Sequence, residues 1–328
     1  MYEKFYDFSG IPFLLTPDSR FFFGSSGHSR AIAHLVYGLA QEEGFIVITG
    51  EVGAGKTTLV EQLWSQLDRH TYFMARIVTT QVSADDLLRL VMDNFGIGDT
   101  PGLDKATLLR RFEFMVQEQR RAGRRCLLVV DEVQNLPLAA LEELRMLSNI
   151  TVDGRASLQT ILLGQPQFRP ILASRDAEQL RQRVLASYHL GPLTDTETRS
   201  YIEHRLKTVG WEGDPHWDDD AYAAVYRQTG GIPRRINTLC SRILLYGSVE
   251  EAHTITAPMV ETTAGELNQD LGAGSVQALP SQRLVNGGSG EYGEMLQRIE
   301  ALEASSARQD RVFRRMLDLF GAIRESPR

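Results

Sequence analysis

The chain has 328 residues, 42% of them hydrophobic and 23% charged, with a formal net charge of −7. That length predicts two domains with an appendage, and its apolar content suffices for a large core, which excludes a disordered chain. The acidic balance excludes a strongly basic protein that coats nucleic acid, although a local basic patch stays compatible with it.

Only Lys4, Lys56, Lys105 and Lys207 among the 35 basic residues are lysines. The two cysteines, Cys126 and Cys240, belong to no CxxC or Cys/His spacing, so neither a disulfide framework nor a structural zinc site is expected. Free thiols of this kind suit a reducing compartment. The opening MYEKFYDFSGIPF mixes acids and aromatics and does not read as a signal peptide. No run approaches the ~18 apolar residues of a membrane span. The expected location is therefore the cytoplasm.

Residues 1–42 begin with an aromatic, proline-containing stretch (Phe5, Phe8, Pro12, Phe13, Phe21, Phe22, Phe23). A helical pattern follows, with Ile32, Leu35, Val36 and Leu39 spaced to share one face. FIVIT at 45–49 reads as a strand, and turn residues lead from it into a helix over about 56–68. Further apolar runs stand at 72–78, 126–131, 158–164 and 187–193, separated by helical patterns around 84–95, 105–121, 138–149 and 167–184. Near-continuous apolar strands alternating with helices predict a parallel sheet covered on both faces, a three-layer α/β/α core over residues 43–193. Past 193 the strands stop. Helical patterns at 194–210, 218–229, 233–247 and 256–267 predict a small all-helical lid over 194–267. Residues 268–292, with GAGS and NGGSG, read as a flexible linker. In 293–328, apolar residues recur in steps of four and three (Met295, Ile299, Leu302, Phe313, Met316, Phe320, Ile323), with Ser306 and Gln309 interrupting the seam. This predicts a coiled-coil-like helix, or one that docks on a partner.

The segment from Gly50 to Thr57, GEVGAGKT, fits GxxxxGK[ST] between a strand and a helix, the context that motif requires. Its glycines let backbone N–H groups turn inward around phosphates, and the following helix aims its positive dipole end at the same anion. Gly50, Glu51, Val52, Gly53, Ala54, Gly55, Lys56, Thr57 and Thr58 are thus the candidate nucleotide-binding residues. Lys56 is expected to reach the β- and γ-phosphates, and Thr57 to offer its hydroxyl to Mg²⁺.

Four apolar residues, Leu127 to Val130, precede Asp131 and Glu132. Two acids leaving the carboxyl end of a buried strand stand where α/β sheets carry ligands. Asp131 is expected to hold Mg²⁺, and Glu132 to act as the general base that polarises the attacking water. No Asn/Thr-Lys-x-Asp loop for guanine and no LSGGQ segment is present. The expected ligands are therefore ATP and Mg²⁺.

The P-loop, the DE strand, ILLGQP (161–166), LRQRV (180–184) and GGIPRR (230–235) come in the order found in AAA+ ATPases. More narrowly, PFLLTPDSRFFF (12–23), ITGEVGAGKTTL (48–59), DEVQNL (131–136), LLGQP (162–166) and GGIPRRIN (230–237) make residues 1–267 resemble the general secretion pathway protein A family. Within it, the resemblance runs most to the ATPases of exosortase/PEP-CTERM exopolysaccharide loci. The resemblance implies that Gln165 is the sensor-1 residue, contacting the γ-phosphate or the attacking water. It implies that Arg234 is the sensor-2 arginine of the lid. Arg183, with Arg181 as second choice, matches the arginine-finger position, which implies a ring or filament. Pro12 and Phe13 resemble the strip that closes over adenine.

Members of that family often add a membrane span and a peptidoglycan-binding domain, and neither is recognisable in this sequence. The expected partner is instead another protein, met through the C-terminal helix at an export or sorting assembly, with peripheral placement at the inner membrane. The alternative is a DNA-dependent ATPase of the transposition-regulator kind. Arg120, Arg121, Arg124 and Arg125 are the one dense basic run that could meet phosphate.

Overall fold

The computed structural model describes residues 2–16, 18–78, 82–152 and 154–272. The predicted heptad helix and all but the start of the predicted linker lie outside the described residues. In chain order, α1 is Tyr2–Phe5 and α2 is Ser26–Ala40. Then come β1 Phe45–Gly50, α3 Lys56–Gln66, β2 Tyr72–Ile77, α4 Ala84–Asn94, α5 Lys105–Arg121, β3 Arg125–Val130 and α6 Leu138–Leu147. A short pair, β4 Thr151–Val152 and β5 Arg155–Ala156, leads to β6 Leu158–Gly164, α7 Phe168–Ala173, α8 Glu178–Arg181 and β7 Val184–Leu190. The remainder is α9 Asp195–Thr208, β8 His216–Trp217, α10 Asp219–Thr229, α11 Pro233–Val249, β9 Thr254–Ile255 and α12 Ala257–Gly272.

Five strands form one parallel sheet in the order β2-β3-β6-β1-β7. Alternate residues along each strand face opposite sides. Phe45 and Val47 of β1, with Leu128 and Val130 of β3, pack under α4, α5 and α6. Ile46 and Ile48, with Leu127 and Val129, pack under α2 and α3. Burial on both faces explains why these strands are apolar without a break. Local signals start the helices: Ser83 accepts from the Asp86 N–H before α4, Asp104 accepts from Thr107 before α5, and Thr194 with Glu197 closes a capping box before α9.

A third cluster joins α9 to α12 with the N-terminal segment: Tyr6, Phe8, Phe13 and Phe21 pack with Ile202, Leu206 and Ile243. Arg205, buried on α9, fastens the segment by donating from Nε to the Pro12 carbonyl at 2.6 Å, with its guanidinium 4.6 Å from the Phe21 ring centre. The aromatic stretch before residue 22 is thus core to the helical unit, whereas α2 lies against the sheet.

Five details depart from the sequence pattern. Val36 is exposed, and α2 buries Ala31, Leu35, Gly38 and Leu39. A Cβ on Gly38 would stand 2.5 Å from Ile46 Cγ1, so small residues let the helix approach the sheet where a search for large apolar side chains looks past them. The pattern at 167–184 is two short helices, broken where Ser174 turns extended. The last core strand begins at Val184 and stops at Leu190, before Gly191 and Pro192, which suit a ladder poorly. Past 193 the paired two-residue strands β8 and β9 stand among the helices, and α12 runs to Gly272, into the stretch read as linker.

Candidate active site

Because β1, β6 and β3 are neighbours, the residues at their carboxyl ends come together: Gly50 at the end of β1, Gln165 after β6, and Asp131 with Glu132 after β3. Gly53 (φ 81°) and Gly55 (φ 97°) take left-handed backbone, which glycine adopts without penalty. A Cβ at Gly53 would collide with the Cβ of Arg234, and one at Gly55 would lie 2.8 Å from Nε2 of His28. The loop is therefore a backbone-only cradle, wedged between α2 and the first turn of α11, and α3 starts directly from it at Lys56.

Lys56 is buried, and its ammonium donates to the carbonyls of Gly50 (2.8 Å) and Glu51 (3.0 Å). Burial lowers its pKa, and the carboxylates of Glu132, Asp131 and Glu51 oppose that. Thr57 donates its hydroxyl to Asp131 Oδ2 at 3.0 Å. Both offer oxygen ligands, Asp131 buried and Thr57 half-buried, which fits a hard cation such as Mg²⁺. Among the described residues no cluster of three or more His, Cys, Asp or Glu could hold a metal. Mg²⁺ held by one carboxylate together with phosphates and water needs none. Glu132 sits in left-handed backbone (φ 53°), and its Oε2 accepts from Gln165 Nε2 at 2.8 Å.

A cavity of about 340 Å³ opens above the loop. Its lining includes Gly53, Gly55, Lys56, Thr57, Thr58 and Glu132 from the core, Arg234 and Asn237 from α11, and His28 from α2. The N-terminal segment adds Leu14, Leu15 and Thr16, then Phe21 to Phe23. Its contribution thus begins at Leu14, immediately after the expected Pro12 and Phe13. Phe13 is 2% exposed within the helical core, and the Pro12 carbonyl is occupied by Arg205. Glu51, Ala54, Asp131 and Gln165 stand beside the cavity rather than in its lining. Arg234 follows Pro233 in the first turn of α11, and its N–H donates to the Gly53 carbonyl at 3.2 Å. That N–H has no intrahelical acceptor, so the P-loop completes the end of the helix.

Arg183 lies away from this cavity, donating to the Ser148 carbonyl (3.4 Å) and hydroxyl (3.1 Å) at the end of α6. Arg181 is exposed and donates to the Ala173 carbonyl at 3.1 Å. The basic run is committed internally. Arg120 and Arg125 pair with Glu42, Arg121 pairs with Glu118, and Arg124 stacks 5.4 Å from the Phe73 ring centre.

Sequence reasoning left several neighbours of the site unassigned. Arg76 on β2 donates to Asp131 Oδ2 at 3.1 Å and to Glu61 at 3.0 Å; an arginine inside an apolar strand beside the acidic one was the signal for it. His28 is buried, its Nδ1 2.7 Å from the Ser25 hydroxyl, and burial lowers its pKa. Tyr201 and Asn237, both in the cavity lining, join in a buried hydrogen bond of 2.9 Å. Gln134, within DEVQNL, contacts Glu132 directly.

Fold and site together define a P-loop NTPase with an AAA core, and the protein is an ATPase: residues 39–172 match the family described as AAA domain. The chain is 34% identical over 268 residues, 82% of its length, to general secretion pathway protein A of Aeromonas hydrophila. It spans about half (49%) of that relative's length. Among solved structures, Cdc6p from Pyrobaculum aerophilum superposes with a TM-score of 0.62 at 17% identity, covering 80% of this chain and 75% of that one. The ADP form of the Aeropyrum pernix ORC2 protein superposes with a TM-score of 0.56 at 15% identity, covering 92% and 89%. At such identities these two likenesses establish the fold alone. Among the described residues no helix is long and apolar enough to cross a membrane.

Proposed function

We propose that the protein is a self-assembling ATPase that drives or regulates a secretion or exopolysaccharide-export assembly of the exosortase-associated kind. The observation that carries the chemical part is the convergence of Lys56, Thr57, Asp131, Glu132 and Gln165 beneath a loop that only backbone can line. The likeness to general secretion pathway protein A supports the secretion part. The proposed five-part division, 1–42, 43–193, 194–267, 268–292 and 293–328, places the hydrolytic core second and a partner-binding helix last.

In this reading the N–H groups of Gly50 to Thr58 surround the phosphates of ATP, and the Lys56 ammonium exchanges its two carbonyl partners for phosphate oxygens. Thr57 and Asp131 would hold Mg²⁺, which when bound neutralises charge on the β- and γ-phosphates. Glu132 takes a proton from the attacking water, and Gln165 orients that water or the γ-phosphate. Arg234 reaches the γ-phosphate from the helical unit. Its N–H already rests on the Gly53 carbonyl, so a change in the loop reaches α11 without an intermediary.

Arg183, and after it the more exposed Arg181, is assigned as the finger that completes a neighbouring protomer's site. Arg183→Ala should retain ATP affinity while turnover falls roughly 10³-fold. Mixing it with Lys56→Ala protein should restore activity at shared interfaces, because each supplies what the other lacks. Co-assembly without restored turnover, for this variant and for Arg181→Ala, rejects a finger from this stretch.

The transposition-regulator reading has less support, since all four arginines of the basic run already hold partners within the chain. Duplex DNA should bind only weakly at physiological salt. A fluorescence titration giving submicromolar, ATP-dependent affinity reverses the ranking of the two readings.

A further inference from the structure

The Gln134 side chain touches both the proposed base and the strand end carrying Gln165. Its Oε1 accepts from the Gln165 backbone N–H at 2.9 Å. Its Nε2 donates to Glu132 Oε2 at 2.6 Å. The orientation of the amide is fixed by this arrangement: a backbone N–H can only donate, so the carbonyl end must face Gln165 and the NH₂ end must face Glu132. The same Glu132 oxygen also accepts from the Gln165 side chain at 2.8 Å.

The local backbone is built to keep these groups close. Glu132 stands at φ 53°, and the turn Val133–Asn135 follows it immediately. Val133 is fully buried against the end of β6, where a Cβ on Gly164 would lie 2.9 Å from Val133 Cγ1 and 3.0 Å from Phe168 Cβ. A glycine at 164 therefore lets the turn after β3 seat against β6, and Gln134 bridges the seam.

We propose that Gln134 is a positioning residue that holds the Glu132 carboxylate when the Gln165 side chain turns to the phosphate; the inference rests on the reading of Glu132 as the base. Glu132 has amide donors from both glutamines. When the Gln165 side chain rotates toward phosphate or water, the hydrogen it gives Glu132 is withdrawn with it. Gln134 remains, because its other end is tied to the Gln165 main chain, which the rotation of that side chain does not move. The base keeps its direction while the sensor changes partner.

Three full-chain variants test this, each measured for ATP affinity, KM, kcat and melting temperature. Gln134→Leu removes both polar contacts at similar size. Gln134→Glu keeps an acceptor for the Gln165 N–H but, when ionised, has no hydrogen for Glu132. Each should lower kcat about ten- to a hundredfold, the scale of a misplaced general base, with ATP affinity and KM within threefold of the parent. Glu132→Gln is the control. If it abolishes turnover while Gln134→Glu keeps the parental kcat, the positioning role is rejected and the base assignment stands. If Glu132→Gln itself turns over normally, the base reading fails first. A parallel loss of ATP affinity and melting temperature in both Gln134 variants identifies a packing residue and overturns the proposal. Gly164→Ala gives a second approach: pushing Val133 off β6 should lower kcat in the same way while leaving Gln134 in place, and parental kcat in a folded Gly164→Ala protein counts against the bridge.

Discussion

Glu132→Gln should bind ATP with parental affinity and release phosphate at least about 10²-fold more slowly. The substitution is nearly isosteric, and the site explains why it should be silent for binding. Glu132 lines the cavity together with Lys56 and Thr57, and in the proposed reading the loop N–H groups, Lys56 and Thr57 hold the phosphates while Glu132 serves the water. The glutamine carbonyl would still accept from Gln165, so the turn after β3 stays seated. What is lost is the ability to take a proton from water, since an amide oxygen is far too weak a base. Binding is followed by fluorescence titration and chemistry by phosphate release, measured separately so that an affinity change does not pass for a rate change. Phosphate release at the parental rate sinks the assignment.

The core of this site was readable because its requirements are local. GEVGAGKT needs its glycines within a few residues of one another, and an apolar strand ending in two acids shows its burial in its own composition. The parallel sheet was legible for the same reason: both faces are covered, so strands and helices alternate plainly along the chain. What escaped depends on partners remote in sequence. Val36 looks like a core residue until Gly38 is seen against Ile46, because a helix can present its small side to a sheet. The reading of Pro12 and Phe13 at the cavity did not anticipate Arg205, about 190 positions away, which anchors that strip and shifts its cavity contribution to Leu14 and beyond. The arginines at 120–125 read as a run that could meet phosphate, and in the structure Arg120 and Arg125 pair with Glu42, Arg121 with Glu118, and Arg124 stacks on Phe73. Gln134 sat in plain view inside DEVQNL, but a glutamine has no marked identity until its two ends are seen to meet different elements.

Lys56→Ala should abolish ATP binding, and with it the stabilisation that ATP brings. Lys56 is the one lysine in the cavity lining, and the residue is 6% exposed, with its pKa lowered by burial against the pull of Glu132, Asp131 and Glu51. The sign follows from the direction of the shift. For a base whose folded pKa lies below its unfolded value near 10.4, folding disfavours the charged form at every pH below the folded pKa. That cost is present at pH 7 and disappears only as the pH rises past the unfolded value. The site therefore carries a buried charge, held by the Gly50 and Glu51 carbonyls, that phosphate would stabilise more strongly. Removing the side chain leaves two carbonyls facing a cavity open to water, so the ATP-free variant should melt within a few degrees of the parent. Parent protein with ATP at 100 times its Kd gains about 2.7 kcal/mol, several degrees in a thermal scan, and Lys56→Ala should gain nothing. If the ATP-free variant instead loses several degrees while its ATP-induced increment persists, Lys56 is a structural pin of the loop and the phosphate contact lies elsewhere.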